Sequence, residues 1–302
     1  MEVLGRLLAL LVILLVGTGL RASGILTGRR TARLNALAYY IALPALIFVS
    51  TYTQAIGELL SLELVGGLLF VLFATVGISW IVHRNRATTG RRSVAIVQSY
   101  HSNLGYLGLP LVAATFGPEV TAVASVMLGV VTLTQMPLSI VLLSTLNGAD
   151  ADLAGELRGL ATNPVLVSLI AGLSVGSIGV TVPTSAATGL DILGAFALPI
   201  ALLCVGASLQ VDLPSLDLSG TGSVVALKIG CMPILAWLVF SMLSVDAATF
   251  TAVVVMFGTP TAVSTFVFAT ELGGDSEFAS LNVFTTTLAS IATLFVLITL
   301  VG

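Results

Sequence analysis

The chain has 302 residues, of which 57% are hydrophobic and only 8% are charged, and its formal net charge is -3. A soluble domain is about 25% charged, so this inventory cannot cover a surface that faces water, and it indicates a polytopic membrane protein. The basic residues form no dense patch, so nucleic-acid binding is not expected. The two cysteines lie in apolar runs without a CxxC or His/Cys cluster, so we expect no metal and no other cofactor.

Apolar segments of the length needed to cross a bilayer, about 20 residues, recur along the whole chain. The predicted spans are 4–20, 34–53, 62–82, 93–116, 119–146, 160–180, 187–209, 221–243, 247–270 and 278–300. The sequence therefore predicts an all-α membrane protein with ten transmembrane helices. Residues 1–146 hold the first five spans, 147–159 form a linker, and 160–302 hold the last five.

Basic residues are concentrated on one predicted side of the membrane. Nine of the 11 fall in the loops after the first, third and fifth spans, at Arg21, Arg29, Arg30, Arg33, Arg84, Arg86, Arg91, Arg92 and Arg158. Loops enriched in Lys and Arg stay in the cytoplasm. We therefore predict a multi-pass protein of the cell membrane with a cytoplasmic linker and with both termini extracytoplasmic.

Two short patterns occur once in each half of the chain. Residues 40–48 (YIALPALIF), in span two, resemble residues 196–204 (FALPIALLC), in span seven, and Pro110 in span four is echoed by Pro260 in span nine. The chain is therefore predicted to contain five helices followed by five again, and an odd number per repeat inverts the second copy in the membrane. Inverted repeats with matching interrupted helices are the architecture of many secondary transporters.

Residues that weaken helices lie near the centres of spans four and nine. Span four contains Gly105, Gly108 and Pro110 in SNLGYLGLP, and span nine contains Gly258 and Pro260 in FGTPTAVSTF. A proline removes a backbone donor and its ring clashes with the preceding turn, while glycine lowers the resistance to unwinding. Unpaired backbone groups survive in hydrocarbon only where protein or a wet cavity satisfies them, so we predict two broken helices that cross around a midplane site.

The predicted crossing has the chemistry of an anion site. Each break creates a helix N-terminus with free N–H groups and roughly half a positive charge, which attracts a carboxylate. The Asn103 carboxamide adds a donor and an acceptor, whereas hydroxyls such as those of Ser264 and Thr265 have the alternative of bonding to carbonyls of their own helix. The candidate substrate-binding residues are Asn103, Ser102, Gly105, Thr259, Pro260, Thr261 and Gln135.

Two ionisable residues lie deep in predicted spans. Lys228, about two turns into span eight, either snorkels to the cytoplasmic surface or pairs with charge in a polar cavity. His101, near the break in span four, is either a structural histidine or a proton carrier. The centre of every span lacks Asp and Glu, which disfavours a coupling mechanism based on a buried carboxylate.

Four segments together resemble the auxin efflux carrier family, which includes plant auxin exporters and microbial malate and malonate carriers. They are residues 102–112 (SNLGYLGLPLV), 198–209 (LPIALLCVGASL), 259–272 (TPTAVSTFVFATEL) and 278–294 (FASLNVFTTTLASIATL). The resemblance implies ten helices in two inverted repeats, with a scaffold of spans 1, 2, 6 and 7. It implies that spans 3–5 and 8–10 form a transport domain with an elevator-like motion, and it suggests a homodimer through the scaffold.

The resemblance also assigns residue roles. Asn103 matches the family's substrate-contacting asparagine, and Pro260 matches its ninth-helix crossover proline. In the plant carriers a proline directly precedes that asparagine, whereas this chain has Ser102, so the break in the fourth helix is expected to depend on Gly105 and Pro110. The sodium–bile acid symporters, related in fold, place a glutamate in their ninth-helix sodium site, and FGTPTAVSTFVF contains none.

The function indicated is secondary transport of a small organic anion, a carboxylate or an auxin-like weak acid, across the lipid bilayer. A sodium-coupled symporter of the bile acid type and a non-transporting membrane sensor for the same ligand are the alternatives, and coupling to H+ or Na+ is left open. An intramembrane enzyme is not expected, because no span holds a convergent Ser/His/Asp, HExxH or paired-Asp set.

Overall fold

The computed structural model describes residues 2–85, 88–208 and 218–302. Arg86 of the second basic loop and Leu209 at the end of predicted span seven lie outside the described residues. Within those three ranges the regular secondary structure is helical, apart from one isolated antiparallel bridge between Ser102 and Thr261. The prediction of an all-α chain is therefore confirmed for the described residues.

The described helices form two runs, one before the linker and one from the linker onward. The first run is α1 (Glu2–Ala22), α2 (Gly28–Leu37), α3 (Leu43–Thr51), α4 (Ile56–Leu59), α5 (Leu62–His83), α6 (Thr89–Gln98), α7 (Leu109–Thr115) and α8 (Pro118–Asn147). The second run is α9 (Leu153–Ala161), α10 (Pro164–Ile178), α11 (Thr184–Ala195), α12 (Ala197–Ser208), α13 (Leu218–Val225), α14 (Met232–Met242), α15 (Ala247–Phe257), α16 (Ser264–Glu271) and α17 (Ser276–Val301). π-helical segments join α2 to α3 (Ala38–Ala42), lead into α7 (Leu104–Gly108) and join α13 to α14 (Ala226–Cys231).

Local sequence sets where these helices begin and end. The side chains of Ser61, Asp246 and Asp275 each accept a hydrogen bond from the N–H three residues on, at 3.0, 2.7 and 2.9 Å. Such N-caps satisfy donors that have no partner inside the helix. Helices α8 and α10 end where Gly148 and Gly179 take φ values of 68° and 70°, a left-handed conformation that glycine adopts without strain.

Six described helical segments are long and apolar enough to cross a membrane, and a seventh is added if α9 and α10, bent by 40°, form one span. The six are Gly28–Thr51, Leu62–His83, Pro118–Asn147, Thr184–Ala207, Gly220–Met242 and Ser276–Val301. Each coincides with a predicted span. The shorter apolar helices Leu104–Thr115 and Ala247–Phe257 are parts of predicted spans four and nine, which the structure interrupts. These lengths and compositions support a multi-pass membrane protein.

The predicted linker, residues 147–159, contains most of a short helix. Leu153–Ala161 is helical, as α9. The Asp152 carboxylate accepts a hydrogen bond from the N–H of Gly155 at 2.9 Å, and Leu160 is buried. An N-cap residue ahead of apolar residues that recur on one face is a helix signal, and the polarity of this segment obscures it.

The long helices pack in two groups. The glycine-packed group consists of α1–α3 and α10–α12, in which α1 packs along α12 and α3 packs along α10 and α11. At Gly206 the backbone of α12 lies against Leu14, and at Gly172 that of α10 lies against Thr51, so a Cβ at either glycine would collide. The Thr18 hydroxyl donates to the Gly206 carbonyl at 2.9 Å. This group is thus held by close backbone contact.

The broken-helix group consists of α5–α8 and α13–α17. Helices α8 and α17 each contact both α6 and α15, and α14 contacts α5 and α15. Several polar side chains are buried at its centre, namely Gln98, His101, Asn103, Gln135, Lys228, Thr286 and Asn282. The two groups meet where α12 contacts the π-helical segment Leu104–Gly108 and where α3 contacts α8.

Candidate functional site

The candidate site is the point where two interrupted helices cross. Helix α6 ends at Gln98 and helical structure resumes at Leu104, while α15 ends at Phe257 and α16 begins at Ser264. The two extended stretches run antiparallel and pair through their backbones. The N–H of Asn103 donates to the Pro260 carbonyl at 2.8 Å, and the N–H of Ala262 donates to the His101 carbonyl at 3.1 Å.

Side chains from the following long helices bond to further backbone groups of the two stretches. The Gln135 carboxamide of α8 accepts from the Ser102 N–H at 3.0 Å and donates to the Ser102 carbonyl at 3.1 Å. In the second half of the chain, the Thr286 hydroxyl of α17 accepts from the Thr261 N–H at 3.4 Å. Unpaired backbone groups cost several kcal/mol each in an apolar interior, so these contacts allow both helices to break. Both polar atoms of Gln135 are used in this contact.

The break in the fourth span lies earlier than the sequence predicts. The interruption covers residues 99–103, whereas Gly105 and Gly108 lie in the π-helical segment and Pro110 lies in the first turn of α7. Proline is well tolerated there because the donor it lacks has no partner at a helix start. The N–H of Gly108 bonds to the Asn103 carbonyl, five residues back, at 3.0 Å. The π-helical register, rather than Pro110, connects the break to α7.

Gly108 and Gly258 have packing roles at the crossing. A Cβ at Gly108 would lie 2.7 Å from the Met256 sulfur and 3.2 Å from Cγ2 of Thr259, and a Cβ at Gly258 would collide with Leu297. Real Cβ atoms do not approach other atoms so closely. The missing side chain at Gly108 therefore lets the π-helical segment touch the end of α15, whereas Gly105 makes only an ordinary contact.

Asn103 presents an unused carboxamide at the crossing. Its side chain is 4% exposed, and the hydrogen bonds it takes part in are those of its own backbone N–H and carbonyl. Within the described chain, the carboxamide has no hydrogen-bond partner. A buried amide retains a strong tendency to bond, so its NH2 group and oxygen are available to a ligand.

A helical segment begins directly after each of the two breaks. The helical segment that begins at Leu104 and the helix α16 that begins at Ser264 have no capping side chain among the described residues. The first N–H groups of a helix often lack intrahelical acceptors and carry partial positive charge. In α16, those of Thr265 and Phe266 already donate to the carbonyls of Ala262 and Val263. The other N–H groups at the two helix starts and the Asn103 carboxamide are donors suited to a small anion.

The predicted hydroxyls differ in what they contact. The Thr259 hydroxyl donates to the Met256 carbonyl of the preceding helix, α15, at 2.7 Å, whereas the Thr261 hydroxyl donates across the crossing to the His101 carbonyl at 3.1 Å. The Ser102 hydroxyl lies 3.7 Å from the Met232 sulfur on α14. The Thr261 hydroxyl thus links the two breaks, and the Ser102 hydroxyl contacts predicted span eight. The Thr259 hydroxyl instead bonds to a nearby carbonyl, which is the structural alternative expected for such hydroxyls.

His101 belongs to a hydrogen-bonded chain of side chains. Its Nδ1 lies 2.8 Å from the Ser139 hydroxyl, which is also 2.9 Å from the Tyr100 hydroxyl and donates to the Gln135 carbonyl at 2.7 Å. A hydroxyl has one proton and two acceptor positions. All three bonds form together when Tyr100 and Nδ1–H of His101 donate to Ser139. The ring is 2% exposed and is fixed by this chain.

Lys228 does not reach the surface. It is 0% exposed, and its Nζ donates to the Phe257 carbonyl at the end of α15, at 2.9 Å. Of the two alternatives, the structure therefore contradicts snorkelling, because the π-helical segment that carries Lys228 packs against α5 and α17. The alternative, a charged group inside a polar centre, fits its position.

A second polar cluster lies beside the crossing. The Gln98 NH2 group donates to the Thr265 hydroxyl at 2.9 Å and to the Ala279 carbonyl at 3.0 Å, and its oxygen accepts from the Asn282 carboxamide at 2.8 Å. Asn282 Oδ1 is buried without a partner among the described residues. Sequence reasoning did not single out Asn282, although an asparagine inside the apolar run SLNVF was a signal. This cluster ties α6 and α16 to α17.

Two cavities of the described chain lie away from the crossing. One, of about 430 Å³, is apolar and includes Val126, Leu169 and Leu173, and the other, of about 490 Å³, includes Trp237 and Asp246. Neither is lined by a residue of the two breaks.

The chain matches a known family over nearly its whole length. The profile of the family described as membrane transport protein matches residues 2–156 and 153–298. The chain belongs to this membrane transport protein family. The relationship to the auxin efflux carriers that the sequence motifs indicate is confirmed at the level of the family.

Two relatives that resemble the chain over most of its length are named as transporters. A protein of Rhizobium meliloti (strain 1021), named as a proposed malonate transporter, is 25% identical over 275 residues, which cover 88% of this chain and 85% of that protein. An uncharacterized transporter of Methanothermobacter thermautotrophicus is 25% identical over 291 residues, which cover 95% of this chain and 94% of that protein. The chain is therefore a membrane transporter and not an enzyme, and its partners are a lipid bilayer and a small-molecule substrate.

Proposed function

We propose that this transporter is a secondary carrier of a small organic anion with a carboxylate group, such as a malonate-like acid or an auxin-like weak acid. The observation that carries the proposal is the unused Asn103 carboxamide beside two uncapped half-helix N-termini. Donors from a split backbone bind carboxylates in transporter sites of this type. The name of the Rhizobium meliloti relative agrees with a small carboxylate.

The proposed architecture is ten transmembrane helices in two inverted repeats. The bridge between Ser102 and Thr261 supports it, because each partner lies in a break and is held by the next long helix, α8 or α17. We propose Ser102 and Thr261, which the bridge joins, as the residue pair related across the crossing, in place of Pro110 and Pro260. Because nine of the 11 basic residues follow the first, third and fifth predicted spans, both termini are proposed to be extracytoplasmic.

The proposed mechanism is elevator-type alternating access. The broken-helix group would carry the bound anion past the glycine-packed group, which would act as a scaffold and as the contact surface of a homodimer. Support comes from the packing, since the site residues and the side chains that hold them all belong to the broken-helix group. Movement of that group as a unit would keep these contacts and change only the surface between groups.

The test is ligand-dependent thermal stabilisation of the purified protein, followed by flux in liposomes. Acetate, malonate, succinate and indole-3-acetate are the probes, each with and without sodium. A ligand that binds only the folded state adds about 2.7 kcal/mol of stability at a hundredfold excess over its Kd. We expect at least one carboxylate to stabilise the wild type and to lose that effect in Asn103→Ala.

The matched control is Asn163→Ala. The Asn163 carboxamide caps α10 by accepting from the Val165 N–H at 2.9 Å, so its loss lowers stability but leaves the carboxylate effect intact. Unchanged binding and flux in both Asn103→Ala and Pro260→Ala, in correctly inserted protein, would contradict the proposal. Sodium dependence of the wild-type response would favour the symporter alternative, and binding without flux would favour the sensor.

A further inference from the structure

We infer that the ammonium group of Lys228 takes the place of a coupling ion. It belongs to the broken-helix group and supplies the positive charge that balances the carboxylate bound at the crossing. The inference rests on the proposed function, and it names the group that neutralises the charge of the bound anion. It follows from the burial of Lys228, from the groups around its Nζ and from its place on the eighth span.

Lys228 is fully buried, and no acidic side chain of the described chain pairs with it. Its side chain is 0% exposed, and its Nζ donates to one carbonyl, that of Phe257. Arg91 pairs with Asp275 elsewhere in the described chain, and no carboxylate of the described residues forms an ion pair with Lys228. A buried ammonium without a counter-charge is costly, and such residues in membrane proteins mark ligand or ion pathways. An anionic substrate supplies the missing charge.

The carbonyl that Lys228 contacts is the one that the chain leaves open at the end of α15. The carbonyls of Val254 and Val255 accept from the Gly258 N–H, at 3.1 Å each, and that of Met256 accepts from the Thr259 N–H and hydroxyl. The last carbonyls of a helix carry partial negative charge and attract cations. Lys228 occupies this end of the broken helix, where free carbonyls suit a metal cation in transporters with split helices.

The same face of the eighth span touches both breaks. Lys228 lies one helical turn before Met232, so their side chains share a face. The Met232 sulfur lies 3.7 Å from the Ser102 hydroxyl, and the Lys228 Nζ lies 2.9 Å from the Phe257 carbonyl. Ser102 directly precedes Asn103, and Phe257 lies three residues before Pro260. The ammonium group is therefore placed beside the proposed anion site and moves with it.

If Lys228 balances the carboxylate, the wild type should bind carboxylates without sodium, and a variant without the ammonium group should bind them only when a cation is added. In the wild type, stabilisation by malonate or another responding carboxylate should be equal in choline, potassium and sodium salts. In Lys228→Ala the response should fall at least tenfold in choline and return with propylammonium, which replaces the deleted side chain. Propanol, a neutral molecule of the same size, should not restore it.

Two further variants separate charge from packing. Lys228→Arg should keep most of the carboxylate response, and Lys228→Met, which fills the space without charge, should lose it in every salt and should not respond to propylammonium. A wild type that binds carboxylates only in sodium would overturn the inference. A full carboxylate response of Lys228→Met would overturn it as well.

A measurement without carboxylate keeps this inference distinguishable from the proposed function. If no carboxylate binds to the wild type, the proposed function fails, and the melting temperature of the ligand-free variants then decides the role of Lys228. Saturable stabilisation of Lys228→Ala by propylammonium, absent with propanol and absent in Lys228→Met, would support a cation site beside Phe257. No difference between propylammonium and propanol would overturn it.

Discussion

The glycine-packed group and the broken-helix group solve the problem of packing inside a membrane in different ways. In the first, α12 at Gly206 lies directly against the backbone of Leu14, and α10 at Gly172 lies against the Thr51 side chain and the Phe48 carbonyl. In the second, helices are interrupted and their free backbone groups bond to side chains such as Gln135. The first group therefore depends on close contact between helices, whereas the second depends on a few polar side chains. This difference in how each group is held agrees with the proposed roles of scaffold and carrier.

The largest effect is expected when Gln135, whose side chain bonds to the backbone of the first break, is replaced. In Gln135→Leu, the N–H and the carbonyl of Ser102 lose partners at 3.0 and 3.1 Å inside a buried site. Each unsatisfied group costs about 1–3 kcal/mol, so we expect a loss of roughly 2–6 kcal/mol together with loss of carboxylate binding. Thermal unfolding in detergent, with and without malonate, measures both.

The control for Gln135→Leu is Gln54→Leu. Gln54 lies in the glycine-packed half of the fold, partly exposed, and its side chain makes no hydrogen bond to another described residue. Its replacement should change the melting temperature little and leave binding intact. Equal effects of the two substitutions would show that the polar contact at Ser102 has no special role.

A glycine substitution tests the other group. In Gly206→Ala, the added Cβ meets the carbonyl of Leu14 on α1, and overpacking of this kind typically costs about 1–3 kcal/mol. Gly189→Ala on α11, where a Cβ meets nothing within 4 Å, should instead gain up to about 1 kcal/mol from helix propensity. The opposite signs, measured as shifts in melting temperature, would establish backbone contact as the basis of the glycine-packed group. A neutral Gly206→Ala would contradict it.

The contrast between the groups was only partly predictable from the sequence. Apolar runs gave the helices, and Gly258, Pro260 and Asn103 marked the crossing, because each is a local departure from a helix-forming pattern. The pairing of Ser102 with Thr261 was not predictable, because it joins residues that are distant in sequence. For the same reason, the sequence identified Gln135 as polar and central but not its partner. Pro110 predicted a break too late in the chain, since it lies in the first turn of α7, directly after a π-helical segment.

The smallest effect is expected at the second break. It compares how tightly the two breaks of the broken-helix group are held. The Thr286 hydroxyl accepts from the Thr261 N–H at 3.4 Å, and it also donates to the Asn282 carbonyl of its own helix at 2.6 Å. A long hydrogen bond of this kind is weak, and Thr261 keeps its bridge to the first break. We therefore expect Thr286→Val to cost about 1 kcal/mol or less, well below Gln135→Leu.

The neighbouring Thr285→Val is the matched control for Thr286→Val, because the Thr285 hydroxyl bonds only to carbonyls of α17, at 2.8 and 3.3 Å. Both variants lose one such local bond, and only Thr286→Val leaves the Thr261 N–H without its acceptor. The difference between their melting temperatures therefore isolates the contact to the second break. A Thr286→Val effect as large as that of Gln135→Leu would mean that the two breaks are held equally tightly. The smaller effect would make the second break the looser side of the crossing, and so the side that adjusts when an anion binds.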